Sequence, residues 1–144
     1  MREDSDAQKP PLTVLLVDDE DAVRHVVGLA LERGGHKVLH ARSAAEALNV
    51  WSHSAQEIDA VVTDLVMPEM SGGELLARLL ESRPRLAAVC MSGFSDVSLA
   101  SFGIGDSIPF LRKPFRTREL LAAVEGAAEA GGRARRAVPS RASQ

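Results

Sequence analysis

Residues 61–73 read Val-Val-Thr-Asp-Leu-Val-Met-Pro-Glu-Met-Ser-Gly-Gly, and this stretch organises the whole chain. An apolar, β-branched run delivers one carboxylate, Asp64, into a loop that closes through Pro68 and the glycines. Such a run reads as a buried strand carrying an acid to the edge of a sheet. An aspartate placed there ordinarily forms a loop or caps a helix through local hydrogen bonds. Its meaning depends on what the rest of the chain sets beside it.

Working outward, residues 13–17 form a second apolar run, which ends abruptly in Asp18, Asp19 and Glu20. From Asp21 the period turns helical, with Val23, Val27, Ala30 and Leu31 on one face and Gly34-Gly35 as the stop. Residues 36–40, with Lys37 among them, suit a short edge strand. Ser43 and Glu46 then read as a capping box before a helix whose stripe is Ala44, Ala47, Leu48 and Trp51. Trp51 reads as an anchor at the edge of the core.

Residues 58–63 are the third strand, ending at Asp64. Ser71 and Glu74 form a second capping box, and the stripe Leu75, Leu76, Leu79 and Leu80 belongs to a helix that stops before Pro84. Residues 86–91 are a fourth apolar strand leading to Ser92-Gly93. One short helix is expected within 94–107, where Gly103 and Gly105 weaken it. Residues 108–112 are a fifth strand, placed on an edge because Pro109 cannot donate to a ladder. Thr117 caps a last helix with the stripe Leu120, Leu121, Val124 and Ala128, finished by Gly131-Gly132.

Strands alternating with helices imply an α/β fold with a parallel sheet covered on both faces. With apolar central strands and two poorer edges, the expected architecture is the flavodoxin-like, doubly wound (βα)5 arrangement. Its five-stranded parallel sheet has the order 2-1-3-4-5. The expected organisation is a flexible leader over 1–11, one domain over 12–130, and a basic, disordered tail over 131–144.

The 144 residues are 45% apolar, 26% charged and only 3% aromatic, so the core must be built from Val, Leu, Ala and Ile. The tail carries four arginines and no acid, so the net charge of −3 is the balance of an acidic body and a basic end. That balance argues against a nucleic-acid-binding body. The chain shows neither a signal peptide nor an apolar run of about 20 residues, so a cytoplasmic protein without membrane attachment is expected. Cys90, the one cysteine, excludes an internal disulfide and reads as a packed core thiol.

In such a sheet all parallel strands end on one side, where ligands bind. Those ends bring together Asp18 and Asp19, Asp64, Ser92 and Lys113. Two carboxylates ~4 Å apart repel by about 4 kcal/mol at an effective dielectric of ~20, so the cluster calls for a cation. Oxygen-only ligation selects a hard ion, and Mg2+ is the natural candidate. The four histidines are scattered, which argues against zinc. A divalent cation, an ammonium and a hydroxyl around a carboxylate also form a clamp for a phosphoryl group, with Asp64 as the nucleophile.

Val17-Asp18-Asp19-Glu20, Asp64 with Met67-Pro68 and Ser71-Gly72, Met91-Ser92-Gly93, and Phe110-Leu111-Arg112-Lys113-Pro114-Phe115 together resemble the receiver domain of two-component response regulators. The resemblance covers residues 12–130. It implies that Asp64 is the phosphoacceptor and that Asp19 binds Mg2+ directly, Asp18 through water, with the Val66 backbone carbonyl completing the protein ligands. It further implies that Lys113 pairs with the phosphoryl group, that Ser92 swings to hydrogen-bond it, and that Phe110 takes the place of a switch tyrosine. The phosphoryl donor would be a phosphohistidine of a sensor histidine kinase or a histidine phosphotransfer domain, and the output an unidentified downstream protein. A monomer or weak homodimer is expected.

Val66 and Phe94 fill the two positions that in relatives place a hydrolytic water, and both are apolar, so slow self-dephosphorylation is expected. The motifs 91–94 and 110–115 look most like receivers joined to hybrid histidine kinases. No output domain follows in the chain, so it reads as a stand-alone receiver or part of a longer protein. Two other functions compete. A Mg2+-dependent phosphohydrolase would lack the acid two residues after Asp64, and a phosphate-independent docking module would leave the five polar residues without a purpose.

Overall fold

The computed structural model describes residues 10–93 and 108–142. Five strands, β1 (Thr13–Val17), β2 (Lys37–Ala41), β3 (Ala60–Asp64), β4 (Ala87–Ser92) and β5 (Phe110–Arg112), form one parallel sheet in the order β2-β1-β3-β4-β5. The described helices are α1 (Asp21–Arg33), α2 (Ala44–Ser54), α3 (Gly72–Ser82) and α4 (Thr117–Ala142), with a 3-10 turn at Ala55–Glu57. The helix expected within 94–107 lies outside the described residues.

Alternation along the strands divides the core in two. Leu15, Val17, Val61, Ala88 and Cys90 pack with Ala47 of α2 and Leu75, Leu76 and Leu79 of α3. On the other face Val14, Leu16, Val62, Val89 and Met91 pack with Val27 and Leu31 of α1 and Leu120 and Val124 of α4. The central strands β1, β3 and β4 are therefore apolar on both faces, as a sheet covered by two helical layers requires. Cys90 is wholly buried, and burial pushes its thiol up to about 12, which leaves it a small core residue with no nucleophilic thiolate.

The expected edges are the observed ones, although Pro109 stands just ahead of β5, where its carbonyl accepts from the Cys90 N–H at 2.9 Å. Ser71 and Glu74 close a full capping box. At Ser43 only half forms, because the Glu46 carboxylate turns to the Arg42 N–H at 2.6 Å. Thr117 is the first residue of α4, so the cap position falls to Arg116, whose N–H donates to Glu119 at 2.8 Å.

Gly131-Gly132, expected to end the last helix, lie inside it, and the backbone expected to be disordered beyond them is helical to Ala142. Paired glycines ordinarily stop a helix, but Gly131 has a packing reason. A Cβ there would come within 2.7 Å of the Arg85 carbonyl oxygen. Alanine and arginine on either side are strong helix formers.

Arg83 ties the segment leading into β3 to the end of α3. Its guanidinium donates to the carbonyls of Ala55, at 2.9 Å, and Ile58, and stacks 4.9 Å from the Trp51 ring centroid. Charged hydrogen bonds and a cation–π contact of this kind are worth about 2–3 kcal/mol together. Arg83→Ala is expected to lower the thermal midpoint by about 5–10 °C. Arg83→Lys should recover little, because a point charge cannot span both carbonyls.

Candidate functional site

The carboxyl ends of β1, β3, β4 and β5 meet at one rim. β1 leads straight into Asp18, β3 ends at Asp64, β4 at Ser92, and β5 runs into Lys113. Backbone hydrogen bonds continue past the strands and set the register there. The Asp18 N–H donates to Ala41, the Leu65 N–H to Met91, and the Lys113 N–H to Ser92. The functional side chains therefore stand on ladder positions.

Asp18 is wholly buried, Asp64 nearly so, and Asp19 exposed. One carboxylate oxygen from each lies within 4.8 Å of the others. The Lys113 ammonium reaches between them, 3.1 Å from Asp18 Oδ2 and 3.4 Å from Asp64 Oδ1. Asp18 Oδ1 accepts from the Glu20 N–H at 2.9 Å, which fixes the turn into α1. The Lys113–Pro114 peptide is cis.

Burial pushes the Asp64 carboxyl up from 3.8 to about 6. Lys113 pulls it down, and the charges of Asp18 and Asp19 push it up again. Burial also disfavours the Lys113 ammonium, yet the charges of Asp64 and Asp18 outweigh it and hold the lysine above its ordinary value. Three carboxylates around one ammonium leave the rim with excess negative charge. An all-oxygen donor set in that state fits a hard divalent cation such as Mg2+.

Ser92 is wholly buried, Phe110 is 39% exposed at the start of the edge strand, and Val66 is 42% exposed in the loop after β3. Phe94 lies outside the described residues. The structure thus brings Asp18, Asp19, Asp64 and Lys113 into one cluster, with Ser92 at the adjoining strand end.

A family model described as the response regulator receiver domain matches residues 14–125. The chain belongs to that family. Sensor kinase CckA of Brucella abortus (strain 2308) is 40% identical over 114 residues, which are 78% of this chain and 12% of that protein. The DNA-binding transcriptional regulator NtrC of Azospirillum brasilense is 36% identical over 80% of this chain and 24% of its own length. For the transcriptional regulatory protein FixJ of Rhizobium meliloti (strain 1021) the figures are 34%, 81% and 57%. This chain therefore spans from about an eighth to just over half of these relatives.

Among solved structures, a response regulator receiver protein from Sinorhizobium medicae WSM419 superposes with a TM-score of 0.77 at 30% identity, covering 84% of this chain and 97% of that one. The receiver domain of the hybrid histidine kinase CckA gives 0.68 at 29% identity, covering 81% and 98%. The flavodoxin-like receiver fold and the two-component signalling family are thereby established. Among the described residues no helix is long and apolar enough to cross a membrane.

Two receiver residues at this rim escaped the sequence reading. Arg24, in α1, donates from Nη1 to the Asp18 carbonyl at 2.9 Å. Thr63, buried in β3, donates from Oγ1 to the Asp64 carbonyl, also at 2.9 Å. Both act on backbone atoms, which helical periodicity and charge spacing do not register.

Proposed function

We propose that this receiver is a phosphoacceptor switch in which Asp64 takes a phosphoryl group from a phosphohistidine of a sensor histidine kinase or histidine phosphotransfer domain. The observation that carries the reading is the Lys113 ammonium seated between Asp18 and Asp64, which joins three strand ends in one charged cluster. An Asp64 carboxylate oxygen forms the new P–O bond as the P–N bond breaks, and the imidazole leaves with the electron pair. Lys113 is free to follow the charge from the carboxylate to the phosphoryl oxygens, and the Ser92 hydroxyl, at the neighbouring strand end, turns to donate to them.

Asp18, Asp19, Asp64 and the Val66 backbone carbonyl would hold Mg2+, which when bound supplies charge neutralisation for the phosphoryl oxygens. With Ser92 drawn towards the phosphoryl group, the packing around β5 changes and Phe110 shifts its rotamer. The surface offered to a downstream protein is altered with it.

The test is to incubate the chain with Mg2+ and a small phosphodonor and to weigh it. One phosphoryl adduct on the native chain and none on Asp64→Asn are expected. An adduct that persists in Asp64→Asn would refute the assignment.

Val66 supplies no polar group to place a water, so self-dephosphorylation is slow. Val66→Asn is expected to shorten the phosphoryl half-life severalfold, measured by loss of the adduct with time.

A further inference from the structure

The carboxylates of Asp18 and Asp19 are adjacent in sequence, yet one is buried and the other exposed. Their relative aim is set by the peptide unit that joins them. Its oxygen, the Asp18 carbonyl, accepts from Arg24 Nη1 at 2.9 Å. The second arm of the fork, Nη2, is tethered to Asp21 Oδ1 at 2.8 Å, and the Arg24 side chain is only 13% exposed. Arg24 Nε is buried and has no hydrogen-bond partner among the described residues, so holding the guanidinium here carries a desolvation cost.

The other polar groups of Asp18 are already committed. Its N–H donates to Ala41, Oδ1 accepts from the Glu20 N–H, and Oδ2 faces Lys113. The carbonyl of the 18–19 peptide is held from α1, by Arg24. Without that hold the peptide plane can rotate, and rotation swings the Asp19 carboxylate relative to those of Asp18 and Asp64.

We infer that Arg24 is a positioning residue for cation binding: its fork, stretched between the Asp18 carbonyl and Asp21, locks the 18–19 peptide so that the three carboxylates converge. The inference rests on the metal-assisted reading of the site given above. It makes a prediction opposite in sign to simple electrostatics. Deleting a positive charge beside three carboxylates should by Coulomb's law tighten cation binding, whereas losing the lock weakens it.

The experiment titrates the full chain with MgCl2 by calorimetry, for the parent, Arg24→Lys and Arg24→Met. Phosphoryl uptake at saturating Mg2+ and thermal unfolding without Mg2+ are measured alongside. Arg24→Met is expected to weaken Mg2+ about tenfold or more, in line with losses of outer partners at other metal sites. Arg24→Lys keeps the charge and the stem but cannot span both acceptors, so it should fall between. It also keeps the question decidable should Arg24→Met fold poorly. Saturating Mg2+ should restore uptake in both variants.

Parental or tighter Mg2+ affinity in either variant overturns the inference, as does a loss of uptake that saturating Mg2+ does not repair. A parent chain that binds no Mg2+ and accepts no phosphoryl group overturns the function reading and this inference with it. Normal parental behaviour with unaltered variants overturns this inference alone.

Discussion

Asp64→Asn is expected to stabilise the metal-free protein at neutral pH by about 3 kcal/mol while abolishing phosphoryl uptake. In the folded protein the carboxyl titrates at about 6, against an ordinary value of 3.8, because burial disfavours its charged form. Between those two values the folded state binds more protons than the unfolded one, so stability falls as pH rises. The contribution is complete below pH 3.8 and lost as pH climbs through about 6. A gap of this width is worth about 3 kcal/mol. Asparagine keeps the shape and removes the charge, so the variant should lose this slope and keep the stability.

Denaturant unfolding of parent and variant between pH 4 and pH 8, with a chelator present, would read the difference directly. Curves of equal slope would contradict it. The same experiment with saturating Mg2+ should flatten the parent's slope, because a bound cation favours the ionised carboxylate. A buried aspartate whose charge costs the fold stability is the expected sign of a site arranged for charge it does not itself neutralise.

Gly72→Ala should be the most damaging single methyl in the described part of the protein. A Cβ on Gly72 would lie 2.0 Å from the Asp64 carbonyl oxygen and 3.0 Å from Leu65 Cα, and both are backbone atoms that cannot step aside. Here the first turn of α3 rests directly on the end of β3, and the Gly72 N–H donates to the Leu65 carbonyl at 2.8 Å. Relief requires the helix start to move away, which breaks that bond and shifts the strand end carrying Asp64. A loss of more than about 3 kcal/mol is expected, with slower phosphoryl uptake by whatever protein remains folded.

Gly126→Ala is the internal control. A Cβ there meets nothing within 4 Å, and the position is helical, so a gain of about 0.5–1 kcal/mol is expected. Thermal unfolding of the two variants side by side would test both signs. Equal effects would mean that the close approach at Gly72 is not what demands glycine.

Much of this was legible from residue order. Runs such as 14–17 and 60–62 are apolar throughout, as a strand covered on both faces requires, and the poorer runs expected at 36–40 and 108–112 became the edge strands 37–41 and 110–112. Helix ends were read less well. Gly131-Gly132 looks like a stop by composition, yet Gly131 is needed for contact with the Arg85 carbonyl, a neighbour 46 positions away in sequence. Glu46 looks like the second half of a box, yet its carboxylate finds a shorter path to Arg42. Local signals name the residues suited to a cap, and packing chooses among them.

The acids, hydroxyl and lysine of the rim could be found in the sequence because a strand's last residue has a known place in a parallel sheet. Strand order and the charge types at four strand ends were in that sense determined by the sequence alone. Tertiary structure decided the rest: the burial that lifts the Asp64 carboxyl to about 6, the seat of Lys113 between Asp18 and Asp64, the helix start pressed on the β3 carbonyl, and the Arg24 hold on the 18–19 peptide. The physical reason is one of range. Periodicity and turn chemistry act over a few residues and are written in their order, whereas desolvation, ion pairing and backbone contact depend on groups that meet only when the sheet has closed.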